Sequence, residues 1–284
     1  MNERPDFSIV TPSFNMLGDL QRCVVSVGDQ AQVSHEHIII DGASTDGTAA
    51  WLQEQNGLRT VSEADEGMYD AVNKGLCLGE GEYFAYLNCD EQYLPGALAS
   101  VRSFFEHNPE SDIVFGSVLV VNQEGNLISL QKSYPPRQTY IFADHLYLLS
   151  CGMFFRRKVV DQEYFFDTYY RDVGDAEFVI RLLGAGFRAG FLSEFVAAFT
   201  WTGNNMCSGE NARRERIELR GQAPTWVRAT RPILNLARRL EKLANGAYSE
   251  KMPLQYALYA DPAGPRQPFF VQKASTRWSV PVKT

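Results

Sequence analysis

The tetrad Asn88-Cys89-Asp90-Glu91 follows the apolar run Tyr83–Leu87 directly. A strand that runs straight into acidic residues sets carboxylates at the edge of a sheet. Hard divalent cations take oxygen ligands, and magnesium-type sites use one or two carboxylates together with substrate phosphates. A metal there would neutralise charge building on a leaving diphosphate. The same tetrad also suits an ordinary solvated turn. Asp41-Gly42-Ala43-Ser44-Thr45-Asp46-Gly47-Thr48 is more distinctive, with two Gly, two Asp and several hydroxyls between a buried run and a helical one. Asp41 suits a base or ribose donor, whereas Asp46 suits the start of the next helix electrostatically. The glycine spacing matches neither the Walker nor the dinucleotide-binding fingerprint. Lys74 could meet a diphosphate as a point charge or sit solvated on the surface. Trp201 and Tyr69 could stack on a sugar or base, or fill the core. The four His show no metal-ligand spacing, and Cys89 reads as a small buried filler.

The elements that must position these residues follow from periodicity. Phe7–Thr11, His37–Ile40, Leu58–Ser62 and Tyr83–Leu87 read as strands. Leu17–Asp29, Thr45–Gln55, Met68–Leu78 and Pro95–His107 read as helices, the second with Ser44 or Thr45 as N-cap. This alternation predicts an α/β domain with a mostly parallel central sheet flanked by helices. Thr11, Asp41, Glu63 and Asp90 all fall where strands end, and in open α/β sheets the ligand crevice lies outside those ends. Ile113–Val121 and Asn126–Gln131 read as strands around Glu124-Gly125. Cys151–Phe155 and Gly190–Phe199 are further strands, and Gly174–Gly184 is a helix. Gly209–Asn245 reads as helical, broken by Pro224 and Pro232. The last 40 residues are expected to be irregular.

Composition narrows the class. The chain has 284 residues, 45% hydrophobic and 21% charged, which is that of a folded protein. No run approaches the ~18 apolar residues of a membrane span. Met1–Asp6 lacks the layout of a signal peptide. The five cysteines include no CxxC pair, so no disulfide framework or structural zinc is indicated. A cytoplasmic protein is expected. The net charge of −7 argues against nucleic-acid binding. It is unevenly spread: Asn205 to Leu243 holds nine Arg or Lys and four Glu, hence +5, leaving −12 on the rest. Within that stretch Ile233, Leu236, Ala237, Leu240 and Leu243 share one helical face, opposite Arg231, Arg238, Arg239 and Lys242, with Trp226 just before. Two readings fit: a helix lying on an anionic membrane surface, or a stripe packed on the protein's own core.

Four segments carry a family resemblance. Phe7-Ser-Ile-Val-Thr-Pro-Ser-Phe-Asn15 resembles the opening strand of the family 2 glycosyltransferases, which have the GT-A fold. Ile40-Asp-Gly-Ala-Ser-Thr-Asp-Gly-Thr48 resembles their second-strand motif. Ser62-Glu-Ala-Asp-Glu-Gly-Met-Tyr-Asp-Ala-Val-Asn-Lys-Gly75 is similar to a segment of the bacterial polysaccharide-forming branch. Tyr86-Leu-Asn-Cys-Asp-Glu-Gln-Tyr-Leu-Pro-Gly-Ala-Leu98 resembles the DXD-type region. A fifth, Arg171-Asp-Val-Gly-Asp-Ala-Glu-Phe-Val-Ile-Arg181, resembles the acidic-pair motif at a helix start.

The resemblance implies an inverting transferase that uses a nucleotide-activated sugar, UDP favoured, with Mg²⁺ or Mn²⁺. It implies that Thr11, Pro12, Phe14, Asn15, Asp41 and Asp65 hold the nucleoside, with Lys74 and Asn88 beside the donor. Asp90 would be the main metal ligand, with Glu91 in support. Asp175 would deprotonate the acceptor hydroxyl, with Asp172 and Glu177 as alternatives. The acceptor would be a saccharide or lipid-linked, on the path to a surface polysaccharide or glycolipid at the inner face of the membrane. Residues 1–204 would be the transferase domain, 1–110 on the donor side and 111–204 on the acceptor side, followed by a helical, basic extension over 205–284. Three departures stand out: Asn88 where the family often has its first Asp, one Asp at Asp41-Gly42 where many have two, and Gly174 for the usual Glu. They keep open a non-catalytic nucleotide-sugar-binding or scaffold protein. A nucleotidylyltransferase would show a basic Gly-rich loop, and Thr11–Asp19 has no Lys or Arg.

Overall fold

The computed structural model describes residues 4–203, 205 and 209–277. Cys207, the expected boundary at residue 204 and both chain ends lie outside the described residues. In chain order the elements are β1 (Phe7–Ser13), α1 (Leu17–Gly28), β2 (His35–Asp41), α2 (Thr48–Gln53), β3 (Leu58–Ser62), α3 (Met68–Leu78), β4 (Tyr83–Tyr86), β5 (Gln92–Tyr93) and α4 (Ala97–His107). The second half holds β6 (Ile113–Val121), β7 (Leu127–Gln131), α5 (Gln138–Ala143), β8 (Met153–Arg156), α6 (Arg157–Asp161), α7 (Gly174–Gly184), β9 (Ala189–Thr200), α8 (Glu210–Gly221), α9 (Thr225–Ala229), α10 (Arg231–Ala244), β10 (Leu254–Leu258) and β11 (Gln267–Val271).

Nine strands form one sheet in the order β3-β2-β1-β4-β8-β6-β9-β5, with β7 on β6. The pairs along β3-β2-β1-β4 are all parallel, as is β6–β9. Period-two alternation splits β4 between two layers. Tyr83 and Ala85 pack toward α1 and α4 with Val27, Leu98 and Val101. Phe84 and Tyr86 pack toward α3 and α7 with Val72, Leu76, Phe178 and Leu182. Helices on both faces of a central sheet are the expected α/β architecture.

Gly75 sets how closely α3 approaches β1. A Cβ there would overlap the Val10 side chain. Gly75→Ala should therefore destabilise the fold by about 1–3 kcal/mol, read from the midpoint of urea unfolding.

Two expectations change, and one open choice closes. α2 starts at Thr48 after Gly47 in the left-handed region, not at Thr45, because Ser44 and Thr45 bond Asn15 instead. Asp46 takes the structural role: it accepts from the N–H groups of Leu17 (2.9 Å) and Thr48 (3.1 Å) and so ties two helix starts together. The tail is not irregular, since β10 and β11 form an antiparallel hairpin. Its Tyr256 stacks on Phe269 at 5.0 Å and joins Leu119, Val121 and Leu130. Finally, α10 is mounted the other way round from a core-packed helix. Arg137 grips Glu241 (2.6 Å), Arg238 grips Asp144 (2.7 Å), and Lys242 lies over Tyr248. The stripe points outward, with Ile233, Leu236, Leu240 and Leu243 each 58–67% exposed. The self-packing reading is thereby ruled out.

Candidate active site

Three groups of residues stand at the carboxyl ends of the parallel strands or on the helix beside them, as three walls. The first comes from β1, β2 and the turn after β3. Asp41, the last residue of β2, is fully buried. Its Oδ2 accepts from the Ser62 hydroxyl (2.6 Å) and the Ser44 N–H (3.2 Å), while Oδ1 has no partner. Asn15 adopts φ 52° and receives the Thr45 N–H at 2.8 Å, pinning the β1 turn to the 42–47 loop. Asp65 accepts the Gly67 N–H (2.8 Å), and its Oδ2 lies 2.6 Å from where a Cβ on Gly42 would sit, with Phe14 at 3.3 Å. Phe14, Gly42 and Asp65 thus form a slot that a side chain at 42 would fill.

Three residues assigned to the donor side are engaged within the chain. β1 continues to Ser13, so Thr11 and Pro12 are buried inside the ladder with β2. Thr11 is fully buried and shares a 2.8 Å hydrogen bond with His37 Nε2. Burial also drives the His37 imidazole down to about 3, so it stays neutral and structural. Lys74 is matched within the chain by Glu63 (2.9 Å) and Asp70 (3.2 Å), which raise its pKa.

The second wall is the turn after β4. Glu91 is fully buried: it accepts the Asn88 N–H at 2.8 Å and closes the turn from inside. Burial and the neighbouring Asp90 raise its pKa. Asp90 is raised as well, mainly by burial. Asp90 opens onto a cleft of about 290 Å³, with Asp19 and Arg22 of α1 on one side, Thr200 on another and Tyr259 and Phe269 of the hairpin segment on a third. Gln92 locks that hairpin in place by exchanging two hydrogen bonds with the Tyr259 backbone (3.0 and 2.8 Å). Cys89 packs beneath with Leu20 and Ile39, as a filler should.

Could this turn hold a divalent cation? Among the described residues no three His, Cys, Asp or Glu side chains converge as a protein-only cage. Asn88 Oδ1, however, is buried without a partner. A carboxylate plus an orphaned amide oxygen is the small, hard donor set of an ion that shares its remaining ligands with phosphates. Glu91 Oε1 is likewise buried without a partner, but Glu91 is fully buried and its other oxygen is held by the Asn88 N–H.

The third wall is the start of α7. The Asp175 N–H donates to the Tyr69 hydroxyl (3.0 Å), and Oδ1 accepts the Ala176 N–H (2.8 Å). Burial pushes Asp175 up to about 6. Tyr69 is core, stacked on Phe166 at 5.2 Å, and α3's Asn73 pins that Phe166 by exchanging two backbone bonds. A Cβ on Gly174 would come within 2.6 Å of the Tyr69 ring, which explains glycine at 174. The alternative carboxylates are committed elsewhere: Glu177 to Arg181 (2.8 Å) and Asp172 to Asn211 (2.9 Å). Tyr86 at the end of β4 packs edge-on against Phe166 at 5.3 Å, the ring on which Tyr69 stacks, and so links β4 to the α7 wall.

Residues 8–165 match Glycosyl transferase family 2. The chain belongs to glycosyl transferase family 2. A PGL/p-HBAD biosynthesis glycosyltransferase of Mycobacterium bovis is 34% identical over 122 residues, 41% of this chain and 48% of that protein. The chain thus spans about half the length of the first curated relatives it matches. The putative teichuronic acid biosynthesis glycosyltransferase TuaG of Bacillus subtilis is 26% identical over 217 residues, 74% of this chain and 84% of TuaG. The structure of S. aureus TarS 1-349 in complex with UDP-GlcNAc superposes with a TM-score of 0.59 at 16% identity, covering 95% of this chain and all of that one. That likeness shows the shared GT-A fold. The family match ends at residue 165, so α7 is reached by the longer TuaG alignment and by the fold-level likeness to TarS, not by the family match.

Proposed function

We propose that this family 2 member transfers a sugar from a nucleoside diphosphate sugar, UDP favoured, to an acceptor hydroxyl by single displacement with inversion. The reading is supported by one observation above all: Asp41, Asp65, Asp90 and Asp175, far apart in sequence, sit at the carboxyl ends of neighbouring strands or on the helix beside them. Phe14, Asn15, Asp41 and Asp65 hold the nucleoside. Asp175 takes the proton of the acceptor hydroxyl as its oxygen bonds to the anomeric carbon. The bond from that carbon to the diphosphate breaks, and its electron pair leaves with the diphosphate. A bound Mg²⁺ or Mn²⁺, held by Asp90 with Asn88, would neutralise the charge on that leaving group. In this reading residues 1–204 carry the transfer, 1–110 on the donor side and 111–204 on the acceptor side, and 205–284 supplies support and docking.

A panel of nucleotide sugars with Mn²⁺ tests the activity. At least one donor should release its nucleoside diphosphate, faster with a saccharide or lipid-linked acceptor present. UDP binding with no turnover of any donor would instead make the protein a non-catalytic binder, the reading that Asn88 favours.

The same reading places the protein at an anionic membrane surface, as the assembly of surface polysaccharide or glycolipid on a lipid-linked acceptor requires. No described helix is long and apolar enough to cross a membrane. Docking would use α9 and α10. Trp226 and the outward stripe of α10 are exposed, and so are Arg228, Arg231 and Arg239. The one acid on these two helices, Glu241, is held by Arg137. A second copy on this stripe would bring arginines toward their own equivalents, whereas anionic headgroups match them, each cation adding about 1 kcal/mol. The protein should float with vesicles containing phosphatidylglycerol and not with phosphatidylcholine alone. Leu236→Glu with Leu240→Glu should cut that binding by at least about tenfold, since each buried Leu contributes about 1.5–3 kcal/mol. No flotation, together with a dimer in light scattering, would assign the stripe to a second copy.

A further inference from the structure

α8 lies beyond the segment that matches the family, yet it reaches into the third wall. Glu215 is 3% exposed. Its Oε1 accepts from the Arg171 N–H (2.9 Å) and the Asn211 amide (2.7 Å). Its Oε2 accepts from the Asp172 N–H (2.9 Å) and the Val173 N–H (3.1 Å). Three successive backbone donors therefore converge on one carboxylate just before Gly174 and Asp175. Burial alone would raise its pKa, but these donors hold it below the ordinary carboxylate range.

The first turn of a helix leaves N–H groups without intrahelical partners, and a capping side chain usually satisfies some of them. The N-cap position of α7 is Val173, which makes no side-chain cap. Glu215 takes up the approach to that turn from another helix, where a negative charge also suits the helix dipole. The pinned segment is held at both ends as well. The Arg171 guanidinium lies 3.1 Å from where a Cβ on Gly67 would sit, beside the donor wall, and Asp175 is tied to Tyr69.

We propose that Glu215 is a positioning residue: by gathering the N–H groups of Arg171, Asp172 and Val173 it fixes where Asp175 stands in the crevice. The proposal rests on reading Asp175 as the base. It differs from a purely structural role because the segment it holds leads straight into the reacting carboxylate. Misplacing a catalytic group by about 1 Å is enough to cost about 100-fold in rate.

The test follows Asp175 directly, by carboxyl-carbon NMR titration in the full chain, alongside donor turnover. The groups facing Asp175 are the hydroxyls of Tyr69 and Tyr86 and the charge of Arg216; Glu215→Gln removes none of them, although it takes away a negative charge that also acts on Tyr69. In Glu215→Gln, Asp175 should titrate closer to the ordinary carboxylate range as water reaches a loosened turn. The kcat should fall about 10–100-fold while UDP affinity changes less than about threefold. Glu215→Asp, which keeps the charge, should recover part of both. Asn211→Ala removes one of the four donors and should move Asp175 the same way by less, which serves if Glu215→Gln does not fold. An Asp175 titration that matches wild type in these variants overturns the proposal. So does a kcat that falls only in step with the folded fraction. If Asp175 responds but Asp175→Asn keeps full activity, the base assignment fails and the positioning role stands.

Discussion

Asp175→Asn should lower kcat by about 10²–10⁴-fold, the usual contribution of a general base, and leave UDP affinity within about threefold of wild type. The amide keeps the shape of the side chain and can still accept the Ala176 N–H. It cannot take a proton from an acceptor hydroxyl. The pH dependence supplies a second readout. Asp175 is pushed up to about 6 by burial, so below that pH it is protonated and cannot act as base. The wild-type rate should fall about tenfold per pH unit on the acid side of 6, and Asn should abolish that limb. Stability should move the opposite way. The folded pKa lies above the ordinary one, so between about 4 and 6 the folded state binds more protons than the unfolded state. Folding stability thus declines as pH rises through that window, and the penalty persists above it. Asp175→Asn removes the penalty, so it should melt no lower than wild type at pH 8. Full transfer activity in this variant would remove Asp175 from the chemistry.

Asp90→Asn should abolish the dependence of UDP binding on Mn²⁺. Calorimetry of the wild type should show UDP affinity falling when Mn²⁺ is replaced by a chelator. In the variant the affinity with Mn²⁺ should drop at least about 10–100-fold, the loss seen on removing even an outer-shell partner of a metal. The affinity without metal should stay near the wild-type value. Asp90 is the carboxylate of its turn that opens onto the cleft, whereas Glu91 is buried behind the Asn88 N–H. Glu91→Gln should accordingly leave the Mn²⁺ dependence in place. A variant at Asp90 that keeps full Mn²⁺-dependent binding would exclude it as a ligand.

How much of this was legible beforehand differs by wall. The strands and helices up to His107 could be read closely, because period-two and helical patterns are local and each buried face repeats its own signature. Asp41 and Asp90 could be placed for the same reason, since a carboxylate after a strand must lie at the sheet's end. Thr11 could not. Whether a strand stops at a Pro or runs on to Ser13 depends on the partner strand, and β2 continues pairing to Asp41. Lys74 was equally ambiguous, because a lone lysine says nothing about the Glu63 that reaches it from the turn after β3. The hairpin of β10 and β11 went unseen because prolines mask the alternation of Leu254, Tyr256 and Leu258. Glu215 carried no signal, as nothing in a charged helix marks one carboxylate as the cap of another helix.

Local periodicity and the residue types at strand ends were enough to determine an α/β fold and the neighbourhood of its crevice, and the ordered motifs added the resemblance to glycosyltransferases. Tertiary structure alone decided which carboxylates face the crevice, because Asp90 and Glu91 are adjacent in the chain and point to opposite sides of one turn. It also decided that the apolar stripe of α10 faces outward. Amphipathicity measures how unequal two faces of a helix are, and only the neighbours, here Arg137, Asp144 and Tyr248, settle which of them is inside.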